Sequence, residues 1–460
     1  MVDARILDLH ALDRDVARAA AGLETWRARL RADPMVEGDD PVELVRHVAA
    51  RSTRDALREM QVGVADEPLR QGLVRWVGAL VAARIGLADE NAWAQAAGSA
   101  TVRFEGEKRQ TVGWREAFRG LVAARSAPEG RRWLAAIAEA ASPIAAATRV
   151  GAARRLEVAQ RLGFAHPWDA EGRALLGRAA DVAASARAWL DATDDLAQAE
   201  RRTIAREGTD AADVFQAAMA RSASDGWPAR LSTQWFDDVF GKGPRGLSIR
   251  VPAWPPALGA ASFVRALAEL GRAVRAASIP GAIPFAVGHD PWSAGAHRLG
   301  AVFAALAADP ELYVRGLHTS RRVAAAQART LAATILVDTR LEAARVLLGD
   351  DARFAPPDVF DEVTMRVFGA PLDMRLSGAW PRVRIDEPER WTAVLEARAA
   401  RAALRDRFDV DWFRNPRAWE EIRASDPPRR LAPPAENDAP AGAWKDEIMA
   451  LARTFEEALG

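Results

Sequence analysis

The side chains best suited to metal or acid–base chemistry are six histidines, at positions 10, 47, 166, 289, 297 and 318. No two of them are three or four residues apart, so no single helix offers a metal ion two imidazoles. His289 and His297 flank a loop of proline and glycine that would let them approach each other, with Glu269 and Asp290 as further acidic ligands. The alternative interpretation is that these are ordinary loop and helix-start histidines, because metal coordination demands a specific geometry.

Several common catalytic signatures are missing from the sequence. It contains neither G-x-x-x-x-G-K-[ST] nor G-x-G-x-x-G, the glycine-rich loops that hold nucleotide phosphates. It has no G-x-S-x-G turn to present a serine nucleophile. The absence of cysteine excludes disulfides, thiol catalysis, zinc–thiolate sites and iron–sulfur clusters.

The balance of charged residues argues against nucleic acid and anionic membranes as general binding partners. The 460 residues include 63 Lys or Arg and 63 Asp or Glu, so the formal net charge is zero. A general electrostatic attraction to nucleic acid or to an anionic membrane is therefore not expected. The N-terminal residues have no apolar core typical of a signal peptide, and no apolar stretch approaches the roughly 18 residues needed to span a bilayer. We expect a soluble, cytoplasmic protein.

Hydrophobic periodicity predicts a mainly α fold that positions these groups. Alternation on both sides of Gly106 predicts a β-hairpin over 100–113, and GLSIRV at 246–251 predicts a short strand. Apolar residues recur at three- and four-residue spacing, as in helices, over 9–32, 41–61, 68–86, 144–163, 171–205, 259–277, 296–308, 321–348 and 389–408.

We expect one large helical domain over 1–424 with two lobes, roughly 1–205 and 206–424. A Pro/Ala-rich linker over 425–443 and a C-terminal amphipathic helix over 444–460 follow it. A helix this short is expected to pack back on its own body. The sequence has 16 tryptophans; most are expected in the core, with an aromatic groove for an apolar ligand or peptide as the alternative.

Several segments, in a fixed order, resemble the thimet oligopeptidase and oligoendopeptidase F group of helical zinc peptidases. The most telling segment is 395–423, which ends in the DWFRNP turn and a short helix. RVGAARRLEVAQRLGF at 149–164, the hairpin at 100–113 and the helix at 323–349 are also similar to family segments. The resemblance implies a helical peptidase body with a deep groove between two helical halves.

The resemblance also implies that the zinc site is lost. The segment AELGRAV at 268–274 is similar to the family's H-E-x-G-H-A-[VL], with Ala268 and Arg272 at the two histidine positions and Glu269 retained. His297 on the following helix stands at the position of the third ligand, a glutamate. Ala268 cannot bind a metal, and a permanent arginine cation repels Zn²⁺. We expect Arg272 to pair with Glu269 instead.

These observations favour a catalytically inactive metallopeptidase homologue, a pseudo-peptidase that binds a peptide in its groove or assembles with a protein partner such as an active metallopeptidase paralogue. No metal or other cofactor is expected. One alternative is an enzyme in which Glu269, Arg272 and His297 form a metal-free acid–base cluster. The other is a purely structural helical scaffold.

Overall fold

The computed structural model of the protein describes residues 7–32, 41–106, 109–161, 163–171, 179–204, 210–220, 233–241, 260–350, 356–424 and 441–460. Over these residues the protein is mainly α, as the sequence predicts, and a single two-stranded sheet is the β structure of the described part of the chain. The predicted strand at 246–251 lies outside the described residues, as does most of the predicted linker, 425–440.

The N-terminal region is a group of four helices. They are α1 (Leu9–Ala32), α2 (Val42–Val48), α3 (Arg51–Glu59) and α4 (Glu67–Ser99). The helix predicted over 41–61 is thus divided, because Ala50 adopts an extended conformation between α2 and α3. α4 is longer than the predicted 68–86; the alanine-rich sequence after 86 carries no proline to end it.

The predicted hairpin is confirmed. Strands β1 (Thr101–Glu105) and β2 (Arg109–Gly113) pair antiparallel, and the alternation buries Val102 and Phe104 on one face of β1. Phe104 stacks on Trp133 with ring centroids 3.9 Å apart. The next helices in chain order are α5 (Trp114–Ala123), α6 (Ala127–Ala140), α7 (Ser142–Arg161), α8 (Pro167–Ala170), α9 (Ala179–Ile204), α10 (Ala211–Ala220) and α11 (Thr233–Phe240).

Two helices that the resemblance singles out cross at very short range. They are α12 (Ala260–Ala277) and α14 (Ala294–Ala305), joined through the short α13 (Phe285–Gly288). A β-carbon at Gly271 would lie 2.5 Å from the carbonyl oxygen of Leu299, and one at Gly300 would lie 3.0 Å from the carbonyl oxygen of Ala268. Glycine at both positions therefore allows the two backbones to touch.

The C-terminal half surrounds one long helix, α15 (Arg321–Asp350). It is followed by α16 (Pro357–Phe368), α17 (Glu387–Phe408), α18 (Pro416–Ala424) and α19 (Ala441–Leu459). α19 packs against α9, α15 and α17 and buries its apolar face, including Ile448 and Phe455, so the terminal helix folds back on the body as expected. Arg398 of α17 holds Glu447 of α19 at 2.7 Å.

The buried apolar side chains form three clusters in the described residues. One lies among α1–α4, one around α12, α14 and the first half of α15, and the largest around the second half of α15 with α9 and α19. Four tryptophans are fully buried in these clusters, which confirms a core role for them: Trp189, Trp391, Trp412 and Trp419.

Candidate functional site

A large cavity lies between the clusters that contain the two halves of α15. Its volume is about 1050 Å³, and its walls are α12, α14, α15, α17 and α19. This volume is at the upper end of the roughly 300–1,000 Å³ that is typical of ligand pockets. The walls combine alanine surfaces with nine arginines and six carboxylates, so the cavity lining is rich in charged side chains.

The cavity is elongated, with one open and one buried end. On α15 the lining residues run from Ala325 to Arg345, which is about 30 Å along the helix axis. At one end Ala325, Thr454 and Glu457 are exposed to solvent. At the other end the side chain of Arg345 is only 11% exposed, and Glu387 beside it is fully buried. A ligand would therefore enter at the α19 side and extend toward Arg345.

The four residues assigned to the lost zinc site all line this cavity: Ala268, Glu269 and Arg272 from α12 and His297 from α14. Arg272 donates through Nε to Glu269 Oε2 at 3.1 Å and through its terminal nitrogen to Oε1, which confirms the predicted pair. The α12–α14 crossing at glycine brings His297 into the same wall. The structure thus brings these four residues to one cavity wall.

His297 is paired with a carboxylate that the sequence did not identify. Its Nε2 lies 2.8 Å from Oδ2 of Asp386, although neither ring nitrogen has a partner with ordinary hydrogen-bond geometry in the described residues. Burial lowers the pKa of His297, and the charges of Arg390 and Arg272 act in the same direction. Burial acts to raise the pKa of Asp386, but its contacts with His297 and Arg390 outweigh burial and hold that pKa well below its usual range. A neutral imidazole thus faces an ionised carboxylate.

His289 and Asp290 have local structural roles. The imidazole of His289 stacks on Phe285 with ring centroids 4.4 Å apart. Oδ2 of Asp290 accepts a hydrogen bond from the backbone N–H of Ala294, at the start of α14. The ordinary-histidine alternative therefore accounts for His289. Among the described residues, no group of three or more His, Asp or Glu side chains is arranged to hold a metal ion.

Most of the cavity arginines are neutralised by carboxylates. Asp309, which is 2% exposed, accepts from Arg401 at 2.6 Å and lies 3.5 Å from Arg405. The other arginine–carboxylate pairs in the wall are Arg272–Glu269, Arg329–Glu200, Arg390–Asp386 and Arg398–Glu447. These pairs stabilise the wall and leave little charge free to attract a ligand there.

Four charged side chains at the buried end of the cavity, unlike the paired arginines of the wall, have no close ion pair among the described residues. Asp338, Glu342 and Arg345 follow one another at four- and three-residue spacing on one face of α15, and Arg384 lies just before α17. Among the described residues, Arg384, Asp338 and Glu342 make no side-chain hydrogen bond or close ion pair. Arg345 has only the carboxylate of Glu387 at 3.8 Å, and its buried Nε has no hydrogen-bond partner.

Burial and neighbouring charges shift the pKa values of three of these side chains. Burial, followed by the neighbouring carboxylates of Asp338 and Glu387, raises the pKa of Glu342 to about 7, and Arg390 and Arg345 oppose this rise. Burial also lowers the pKa of Arg345, and repulsion from Arg384 adds to this effect. Despite its burial, the carboxylates of Glu387 and Glu342 raise the pKa of Arg384. The buried end therefore combines repulsion within each like-charged pair with attraction at longer range between the pairs, and no close ion pair forms among the four side chains.

Sequence reasoning missed these four residues. The available signal was a charged stripe, Asp338–Glu342–Arg345, on one face of the second half of α15. Such a stripe is typical of a solvated helix face, and nothing in the sequence indicates that this face lines a cavity. Arg384 is brought to the stripe by the chain turn before α17, which helical periodicity does not specify.

Comparison of the chain with protein-family models and with curated protein sequences finds no match. In the described part of the chain, no helix is both long enough and apolar enough to cross a membrane.

Proposed function

We propose that this protein is a cytoplasmic pseudo-peptidase, related to the thimet oligopeptidase and oligoendopeptidase F group, that binds a peptide in its cavity without hydrolysing it. The observation that carries the proposal is an elongated charged cavity whose wall contains Ala268 and Arg272. By the sequence resemblance, these residues stand at the positions of the zinc-binding histidines. A length of about 30 Å accommodates up to about nine residues of extended peptide, at about 3.3 Å per residue.

The cavity also supports binding over a purely structural role. Buried charges without close partners are costly, because desolvation is not compensated. A scaffold would gain stability by filling the cavity with apolar side chains. The cavity with its charged residues is explained if a polar ligand fills it. The packing of α19 on the body also argues against using that helix to dock an active paralogue.

The proposal is tested by titrating the protein into a fluorescent peptide mixture and following both anisotropy and cleavage. We expect anisotropy to rise saturably, no peptide to be cleaved, and a metal chelator to change neither result. Glu456→Gln, on the exposed face of α19 and outside the cavity lining, serves as a folded control. Cleavage that stops on addition of chelator would show an active metallopeptidase and overturn the proposal.

A second candidate is an enzyme with a metal-free acid–base site, and the observation that favours it is the pKa of about 7 for Glu342. A carboxyl group with this pKa exchanges protons efficiently near neutral pH. Glu269 is less suited to this role because Arg272 holds both of its oxygens. This candidate requires turnover that chelators do not affect and that Glu342→Gln and His297→Ala each abolish.

A further inference from the structure

The four charges at the buried end have a specific arrangement. Asp338 and Glu342 are one helical turn apart on α15, and Arg345 is one turn beyond Glu342. Arg384 lies within Coulombic range of Asp338 and Glu342. The buried end thus presents two acidic and two basic side chains to the same space, none of them closely paired in the described residues.

We propose that the buried end of the cavity binds a ligand that carries an ammonium and a carboxylate together, its ammonium at Asp338 and Glu342 and its carboxylate at Arg345 and Arg384. A free amino acid and a short peptide with both termini free share this chemistry. The inference rests on the proposed function, since it specifies which ends of a bound peptide are recognised.

The ammonium half follows from the two carboxylates. Like charges at four-residue spacing repel. Burial, with the carboxylates of Asp338 and Glu387 acting in the same direction, raises the pKa of Glu342 to about 7. An ammonium group between Asp338 and Glu342 replaces this repulsion with two attractions. It supplies three N–H donors to carboxylate oxygens that have no donor among the described residues.

The carboxylate half follows from the two arginines. The guanidinium of Arg345 is buried with a free Nε, and it is repelled by Arg384. Each guanidinium presents donors in a planar fork that matches a carboxylate. A carboxylate between the two therefore satisfies the free Nε and separates the two cations.

Neither a simple anion nor a simple cation satisfies the whole group. An anion alone leaves Asp338 beside Glu342 and adds a third negative charge, and a cation alone leaves Arg345 beside Arg384. The surrounding wall is already balanced by pairs such as Arg390–Asp386. A ligand with both charges is the one class that relieves both repulsions.

The experiment is calorimetric titration of the whole protein with alanyl-alanine, its N-acetyl form and its C-terminal amide. We expect alanyl-alanine to bind, and each blocked form to bind at least tenfold more weakly. Glu342→Gln should weaken binding of alanyl-alanine and leave binding of the N-acetyl form unchanged. Arg345→Gln should weaken binding of alanyl-alanine and leave binding of the amide unchanged. If Arg345→Gln does not fold, Arg384→Gln is used in its place.

Glu456→Gln, on the exposed face of α19 and outside the lining of the cavity, is the matched control and should not alter affinity. Equal affinity for the free and blocked forms would overturn the inference, and this comparison requires no variant. Binding of a long acetylated and amidated peptide without binding of alanyl-alanine would overturn the inference and leave peptide binding intact. Binding of free alanine but of no peptide would overturn peptide binding and leave the inference about the buried end intact. If neither free alanine nor any peptide binds, both proposals are overturned.

Discussion

Replacing Glu342 with glutamine is expected to stabilise the protein at alkaline pH and to have little effect at acidic pH. The pKa of this carboxyl is raised from 4.5 to about 7, so between these values the native state retains a proton that the unfolded state has released. The free energy of unfolding therefore falls as pH rises through this range, and the loss is complete above about 7. Glutamine removes the titrating group and with it this loss.

The magnitude follows from the two pKa values. Each pH unit between them corresponds to about 1.36 kcal/mol, so Glu342→Gln should raise the free energy of unfolding at pH 8 by up to about 3 kcal/mol. At pH 4.5 the two proteins should differ by less than about 1 kcal/mol, since the carboxyl is protonated in the wild-type native state. The neighbours that set this behaviour are Asp338, Arg345, Arg384, Glu387 and Arg390.

The assay is urea unfolding at both pH values, followed by tryptophan fluorescence. Glu456→Gln, on the exposed face of α19, is the control and should change stability by no more than about 0.5 kcal/mol at either pH. A stabilisation of equal size at the two pH values, or destabilisation at pH 8, would refute the claim that burial and like charge raise this pKa.

Three further changes probe the elements around the cavity. Gly271→Ala should destabilise the protein by at least about 2 kcal/mol in urea unfolding, because its β-carbon would contact the carbonyl oxygen of Leu299 at 2.5 Å; unchanged stability would contradict the close crossing. Asp386→Asn should lower the free energy of unfolding by about 2 kcal/mol at pH 7. The difference from wild type should shrink as pH falls below 3.8, since the native structure stabilises the ionised form of Asp386. Phe455→Ala should cost about 3 kcal/mol or more, because this buried ring packs on Trp189; a loss below 1 kcal/mol would show that α19 is not part of the core.

Proton release provides a ligand-linked prediction from the same carboxyl. An ammonium placed beside Glu342 favours its ionised form, so binding should release protons at pH 6.5, and affinity for alanyl-alanine should rise from pH 6 to pH 7. His297 and the Glu269–Arg272 pair line the same cavity and can also exchange protons when a ligand binds. The variant Glu342→Gln therefore distinguishes proton release by Glu342 from any contribution of these groups. Calorimetry in buffers of different ionisation enthalpy measures the release. Proton release of the same size in Glu342→Gln would contradict the assignment to this carboxyl.

The parts of the fold that depend on local pattern could be predicted from the sequence. Helices such as α1 and α12 follow from apolar spacing, and the hairpin follows from alternation around Gly106. The break between α2 and α3 could not be predicted, because Ala50 is a residue that favours helix and yet adopts an extended conformation there.

In the candidate site, likewise, only the contacts between residues close together in the sequence could be predicted. Glu269 and Arg272 are neighbours on one helix, so their pairing follows from spacing alone. The contact of His297 with Asp386, and the gathering of Arg384 with the α15 stripe, join segments far apart in the chain. Sequence spacing carries no information on such contacts without a known fold, and those are the contacts that define the buried end.

The most direct test of the central claim is native mass spectrometry of the protein incubated with a short peptide that has both termini free. The account predicts the mass of the chain plus one intact peptide and no metal ion, and it predicts that no cleaved peptide appears in the mixture. A mass corresponding to the chain plus one zinc ion, together with cleavage products of the peptide, would contradict it.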